Sequence, residues 1–164
     1  MPVFVNKAET RELLKQIDAR DAHLEKLEVE VHEWEKRTAK IAETELQSRA
    51  ATIANELAAA HVGKDSCVSE VPNADNKLLG AVADALKTKF NGPIFLAGVA
   101  NGRVAMIAAV PKQLTSRVQA NKIIQQIAPI VGGKGGGRPD SAQGGGTDTN
   151  EIGKALAKAK ELLR

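Results

Sequence analysis

The stretch IFLAGVANGRVAMIAAV, residues 94–110, decides the fold. Two apolar, β-rich runs are joined by Asn101-Gly102, the dipeptide that a two-residue type I′ turn favours because both central positions need φ > 0. Both runs are apolar at nearly every position instead of at alternate ones. The hairpin is therefore expected in the middle of a sheet, with both faces covered.

Working outward, residues 66–71 alternate weakly and read as a strand closed by Pro72. Asn73 is the expected cap of a helix over 74–90, whose apolar stripe is Leu78, Leu79, Val82, Ala85, Leu86 and Phe90. Asn91-Gly92-Pro93 ends it. Downstream, Val118, Ile123, Ile124 and Ile127 mark the inner face of a helix over 118–127 that Pro129 stops. A last helix opens near Asp148, with Glu151 three residues on as in a capping box, and docks through Ile152, Leu156, Ala159, Leu162 and Leu163. The expected fold class is α/β (α+β): a small domain over 63–164 with a central sheet flanked by helices.

Residues 1–62 read differently, as a long helical arm. Leu13, Ile17, Leu24, Leu27, Val31, Trp34 and Ile41 recur in steps of four and three, with Arg20, Thr38 and Glu45 on the same seam. The register skips by one residue and resumes at Leu46, Ala50, Ile53, Leu57 and Ala60, which predicts a stutter or a break near 44–48. A continuous helix over 10–60 would be roughly 75 Å long. Propensity alone does not stabilise such a helix, so its seam needs a cover. The candidates are a second copy, a fold-back hairpin, or domains outside this chain. We expect a homodimer through Leu13, Ile17, Leu24, Leu27, Val31, Trp34 and Ile41.

Charge divides the chain the same way. Residues 1–62 hold nine Lys/Arg against twelve Asp/Glu, whereas residues 63–164 hold fourteen against eight. Residues 101–140 alone carry six cations against Asp140, which points to a polyanionic partner. Aromatic residues make up only 2% of the chain, so recognition by stacking bases on exposed rings is not expected. Contact with backbone and shape is expected instead. The single Cys67 excludes a disulfide framework within the chain, and no apolar run is long enough for a membrane span, so a cytoplasmic location without membrane contact is expected.

Residues 132–146, GGKGGGRPDSAQGGG, hold eight of the fourteen glycines. Each glycine costs roughly 0.5 to 1 kcal/mol of ordering entropy relative to alanine. The segment therefore reads as an ordered loop in which bare backbone approaches another surface. That surface is either the domain's own sheet or a nucleic-acid backbone, with successive N–H groups forming an anion nest beside Lys134 and Arg138. It is not a nucleotide P-loop, because Gly135 and not Ser or Thr follows Lys134.

Residues 132–138 (GGKGGGR), then Asp140, Ala142-Gln143 and Gly145-Gly146, resemble the signature of the C-terminal domain of alanyl-tRNA synthetases. Residues 114–120, LTSRVQA, match the stretch before that family's short helix, and the terminal helix fits as well. The resemblance implies a DHH-associated fold over 63–164 and a non-catalytic module that holds the outer corner of tRNA, alanine tRNA in this family, and so assists aminoacylation and editing. It carries Arg117, Lys122, Lys134, Gly135, Gly136, Gly137, Arg138 and Gln143 to the nucleic-acid surface. Phosphoesterases share the fold and contact nucleic-acid substrate with the glycine segment.

Two other classes compete. A phosphoesterase needs a metal cluster of Asp and His, yet His23, His32 and His61 all lie on the arm, and no cofactor is implied. The chain is expected not to be an enzyme by itself; as a fragment it would belong to an ATP-dependent alanine-tRNA ligase. A free-standing binder of single-stranded nucleic acid or DNA, or a purely structural dimerisation module, are the remaining readings. The structural module leaves the basic glycine segment unexplained.

Overall fold

The computed structural model describes residues 6–164. In chain order they form α1 (Lys7–Ala60), β1 (Cys67–Glu70), α2 (Asn76–Lys87), β2 (Ile94–Ala100), β3 (Arg103–Ala109), α3 (Ala120–Ile127), β4 (Lys134–Gly137), β5 (Ser141–Gly146) and α4 (Ile152–Leu162). Packing separates a unit that ends at Thr44 from a compact unit, Glu45–Arg164.

In the first unit α1 exposes its apolar seam: Leu13, Ile17, Leu24, Leu27, Val31, Trp34 and Ile41 keep 41 to 66% of their surface. Of the stutter or break expected near 44–48, the break does not occur, because α1 is continuous through these residues. Thr44-Glu45-Leu46-Gln47-Ser48 contains no proline or glycine, and a register skip redirects the apolar face without costing a backbone hydrogen bond. The skip marks a change of environment. Beyond it Ala50 and Ala54 are fully buried, and Leu46, Ile53 and Leu57 pack against the core beneath α2. A division at residue 62 separates helix from sheet, whereas packing counts the last turns of α1 with the globular unit.

The compact unit is built on a five-stranded sheet in the order β1-β2-β3-β5-β4. β1 and β2 are parallel, joined by α2 as a crossover, and the other pairs are antiparallel. The 94–110 hairpin sits inside the sheet as expected. Asn101 and Gly102 both have positive φ, 53° and 71°, as the turn requires. One face carries Phe95, Ala97, Met106, Ala108 and Ala142 against Ile123, Ile124 and Ile127 of α3 and Ala155 and Ala159 of α4. The other carries Cys67, Ile94, Leu96, Ala105 and Ala109 against Leu78, Leu79, Val82 and Leu86 of α2. Buried residues are hydrophobic throughout, with no buried polar side chain among those described.

Two helix starts differ from expectation. The cap of α2 is Asp75, whose carboxylate accepts from Leu78 N–H at 2.9 Å, and not Asn73. Asn73 takes a positive φ of 53° in the preceding turn, a conformation asparagine tolerates, and that turn carries the chain from β1 to the helix. At the other end, Asp148 caps a 3-10 turn, Thr149–Glu151, through Asn150 N–H. Glu151 does not reach back as a capping box would; it pairs with Lys154 at 2.6 Å.

Candidate nucleic-acid interface

Residues 132–146 are not a loop. They form the hairpin of β4 and β5, which widens the sheet by two strands and leaves β4 at its edge. The turn is closed by two hydrogen bonds, Arg138 N–H to the Ser141 carbonyl at 2.8 Å and Ser141 N–H to the Arg138 carbonyl at 3.2 Å. From that pair the antiparallel alternation aims the amides of Lys134 and Gly136 at β5 and those of Gly135 and Gly137 at the open edge. Successive N–H groups therefore point in opposite directions, and the expected concave nest cannot form.

Most of the glycines have an internal explanation. A Cβ at Gly133 would overlap the Gly145 carbonyl, and one at Gly146 would overlap the Val131 carbonyl. A Cβ at Gly135 would strike Ile124 of α3, and one at Gly144 would lie 2.9 Å from the same methyl. Helix α3 is pressed so closely on these strands that no side chain fits between. Gly136 is different: a Cβ there would meet nothing within 4 Å.

The reason is the face on which Gly136 lies. The ladder sets Gly136 beside Gln143 and Gln143 beside Ile107, and it sets Lys134 beside Gly145 and Gly145 beside Ala105. By the two-residue period of a strand, these positions face the side of the sheet that carries α2. But α2 packs on β2 and β3, so this face of β5 and β4 is left open. It forms a shallow groove of about 340 Å3 lined by Ile107, Gly136, Gly137, Arg138, Ser141 and Gln143, with Ala142 behind. Lys134, Arg138 and Gln143 are exposed. Lys134 and Arg138 lie outside all four ion pairs formed among the described residues. The groove thus offers one uncompensated cation, Arg138, a side-chain amide and a patch without side chains, and Lys134 is exposed on the same face of β4 beside it.

Arg138 is held from behind. The Pro139 carbonyl accepts from Ala120 N–H at the start of α3, and the Asp140 carbonyl accepts from Val110 N–H. The structure therefore brings together Gly136, Gly137, Arg138 and Gln143 around the groove, with Lys134 on the same face of β4 but outside the lining, while Gly135 turns its α-carbon toward α3. Lys122 is exposed on α3, which covers the opposite face, and Arg117 lies in the turn before α3, beside a different cleft. Neither shares the groove. Ile107 and Ser141 line it without having been singled out from sequence. The signal that could have found Ser141 is the alternation in Ser141-Ala142-Gln143-Gly144, which is visible once the segment is read as strand, whereas Ile107 joins the groove only through the pairing of β3 with β5.

Other chemistry is sparse. Among the described residues no cluster of three His, Cys, Asp or Glu comes together to hold a metal ion, and no helix is long and apolar enough to cross a membrane. Cys67 lies buried in β1, and burial pushes its thiol from the ordinary 9.0 up to about 11, against the opposing pull of Lys64. At pH 8 the folded protein then holds about a hundredfold less thiolate than the unfolded chain. Iodoacetamide at pH 8 is expected to label Cys67 at least that much more slowly in buffer than in urea; equal rates would contradict the burial.

The sequence profile of the DHHA1 domain matches residues 63–164. Alanine–tRNA ligases of Staphylococcus aureus strains JH9 and Newman are each 48% identical over 96 residues, which is 58% of this chain and 11% of theirs. The chain thus spans about a tenth of the length of these relatives. Among solved structures, the C-Ala domain of Aquifex aeolicus alanyl-tRNA synthetase superposes with a TM-score of 0.54 at 27% identity, covering 58% of this chain and 86% of that one. RecJ from Thermus thermophilus, at 17% identity and a TM-score of 0.50 over 72% of this chain and 17% of that one, shares the fold alone. With all five strands, helices α2, α3 and α4 and well over half of its length within the match, the chain belongs to the DHHA1 domain family.

Proposed function

We propose that this chain is a non-catalytic tRNA-binding module that grips the outer corner of tRNA by backbone and shape, and that it serves an alanine–tRNA ligase in aminoacylation and editing. The observation that carries this reading is the uncovered half-face of the sheet, where Arg138 lines a groove beside a glycine, Gly136, that internal packing does not require, and the strand period sets Lys134 on the same face two residues before Gly136. Methyl-free backbone lets a phosphodiester approach closely, and the two cations supply the charge. Membership of the DHHA1 family and 48% identity to alanine–tRNA ligases favour tRNA as the polyanion.

The test is a salt titration of binding to intact tRNA, to a minihelix lacking the corner and to single-stranded DNA of equal length. Intact tRNA is expected to bind best. The double variant Lys134→Gln/Arg138→Gln is expected to flatten the slope of log K against log salt by about one to two units, since each phosphate contact contributes roughly 0.7 to 0.9. An unchanged slope rejects these contacts. Equal affinity for all three probes turns the reading into generic strand binding.

Dimerisation through the helix belongs to the same proposal, with a second copy of this chain as the cover for the exposed seam. The seam's charges select the orientation. In a parallel pair Arg20 would face Arg20 of the other copy, and Glu45 would face Glu45. In an antiparallel pair centred between residues 32 and 33, Arg20 meets Glu45, Leu24 meets Ile41, Leu27 meets Thr38, and Val31 meets Trp34. The antiparallel register pairs each seam charge with its opposite and sets the one tryptophan at the centre.

A further inference from the structure

A second cationic cleft lies outside the groove on β4 and β5, at the end of the sheet where β2 begins. It has a volume of about 430 Å3, and Lys64, Arg117 and Arg164 line it from three separate parts of the chain, with Asp65 as the opposing carboxylate. Strand pairing and close packing bring these parts together. Cys67 N–H donates to the Pro93 carbonyl at 2.9 Å, and a Cβ at Gly92 would overlap the Asp65 carbonyl, so residues 64 and 65 are pressed against the turn before β2. Arg117 is set by its own turn, where its N–H and that of Val118 donate to the Leu114 carbonyl. None of Lys64, Arg117 and Arg164 makes an ion pair among the described residues, and Lys64 and Arg117 are both exposed. Like charges that converge on a concavity without partners raise the local potential and concentrate anions there.

The cleft is also continuous with its neighbours. Phe90, Asn91 and Gly92 form one wall of it and one wall of an adjoining pocket of about 260 Å3, whose far side holds Lys112 and Asp140. Asp140 belongs to the β4–β5 turn, and the same turn places Arg138 in the groove described above. Cations thus recur from Lys134 and Arg138, past Lys112, to Arg117 and Lys64. Lys87, which borders the pocket, is already neutralised by Asp84 at 2.9 Å.

We infer that the Lys64–Arg117 cleft is a second phosphate-contact site, and that the phosphodiester backbone of one bound RNA runs from the groove on β4 and β5 around the turn at 138–140 into this cleft. The inference rests on the tRNA-binding reading and extends it. A free phosphate would occupy one cleft; a recurrent row of cations fits a polymer whose charges repeat.

The experiment uses the full chain and a tRNA transcript, with affinity followed by anisotropy across a salt series. Lys64→Gln/Arg117→Gln is expected to flatten the slope of log K by about 1.4 to 1.8 units, two contacts at roughly 0.7 to 0.9 each. Lys64→Arg/Arg117→Lys, which keeps the charges, is expected to preserve it, and the circular dichroism of both variants should match that of the parent. If the parent chain binds no tRNA, the proposed function itself falls. If the parent binds and Lys134→Gln/Arg138→Gln flattens the slope while Lys64→Gln/Arg117→Gln leaves it unchanged, the second site is overturned and the function stands. Inorganic phosphate that displaces tRNA more than chloride of equal ionic strength, only when Lys64 and Arg117 are present, would also overturn the polymer track in favour of a free-anion site.

Discussion

Replacing Gly133 by alanine is expected to cost about 3 kcal/mol or more and to detach the outer strands. The added Cβ would overlap the Gly145 carbonyl and come within 2.5 Å of Gly146 Cα, both backbone atoms of β5. A flexible side chain could rotate away from such a contact, but a strand held in register on both sides cannot. Overpacking in interiors costs about 1 to 3 kcal/mol where the surroundings yield, and more where they do not. Gly136→Ala, three residues away in the same motif, is expected to change stability by less than about 0.5 kcal/mol or to raise it slightly. Its Cβ meets nothing, and alanine restricts the unfolded chain more than glycine does. Urea unfolding of both variants checks the contrast. Similar losses at the two positions would show that the strands, and not their packing, set the demand for glycine.

Substituting Leu27 by aspartate is expected to make the chain monomeric at concentrations where the parent is a dimer, weakening association by a hundredfold or more. Two unpaired carboxylates would enter the seam, and an uncompensated buried charge costs about 3 to 5 kcal/mol. The charges then report orientation. In the antiparallel register Arg20→Glu sets a carboxylate against Glu45 of the other copy and weakens the dimer, while Arg20→Glu/Glu45→Arg restores it. In a parallel pair the double exchange would bring no recovery, because Glu would face Glu at position 20 and Arg would face Arg at position 45. Sedimentation of the four chains reads both results, and a parent that stays monomeric at high micromolar concentration removes the dimer from the proposal.

The residues differ in how much they disclose by themselves. The 94–110 hairpin was legible because Asn-Gly has few conformations to choose from and the flanking runs have one period. The arm was legible because apolar residues at heptad spacing leave one helical face to bury. Both signals are local. The cap of α2 was misread because Asn73 and Asp75 are both good capping residues, and only the route of the chain from β1 decides which of them meets the first turn.

For residues 132–146 the limit lies deeper. Their composition determined that backbone must approach something closely, and their charge determined that cations would stand nearby. Glycine has no side chain, so a run of it carries no alternation and names no face, and strand and loop look alike. Which glycines meet α3 and which face solvent was decided by neighbours distant in the chain: Ile124, Val131 and the short reach of α2, which stops at β3. Tertiary structure likewise separated Arg117 and Lys122 from Lys134 and Arg138, because nearness along the chain does not determine which side of a sheet a residue occupies.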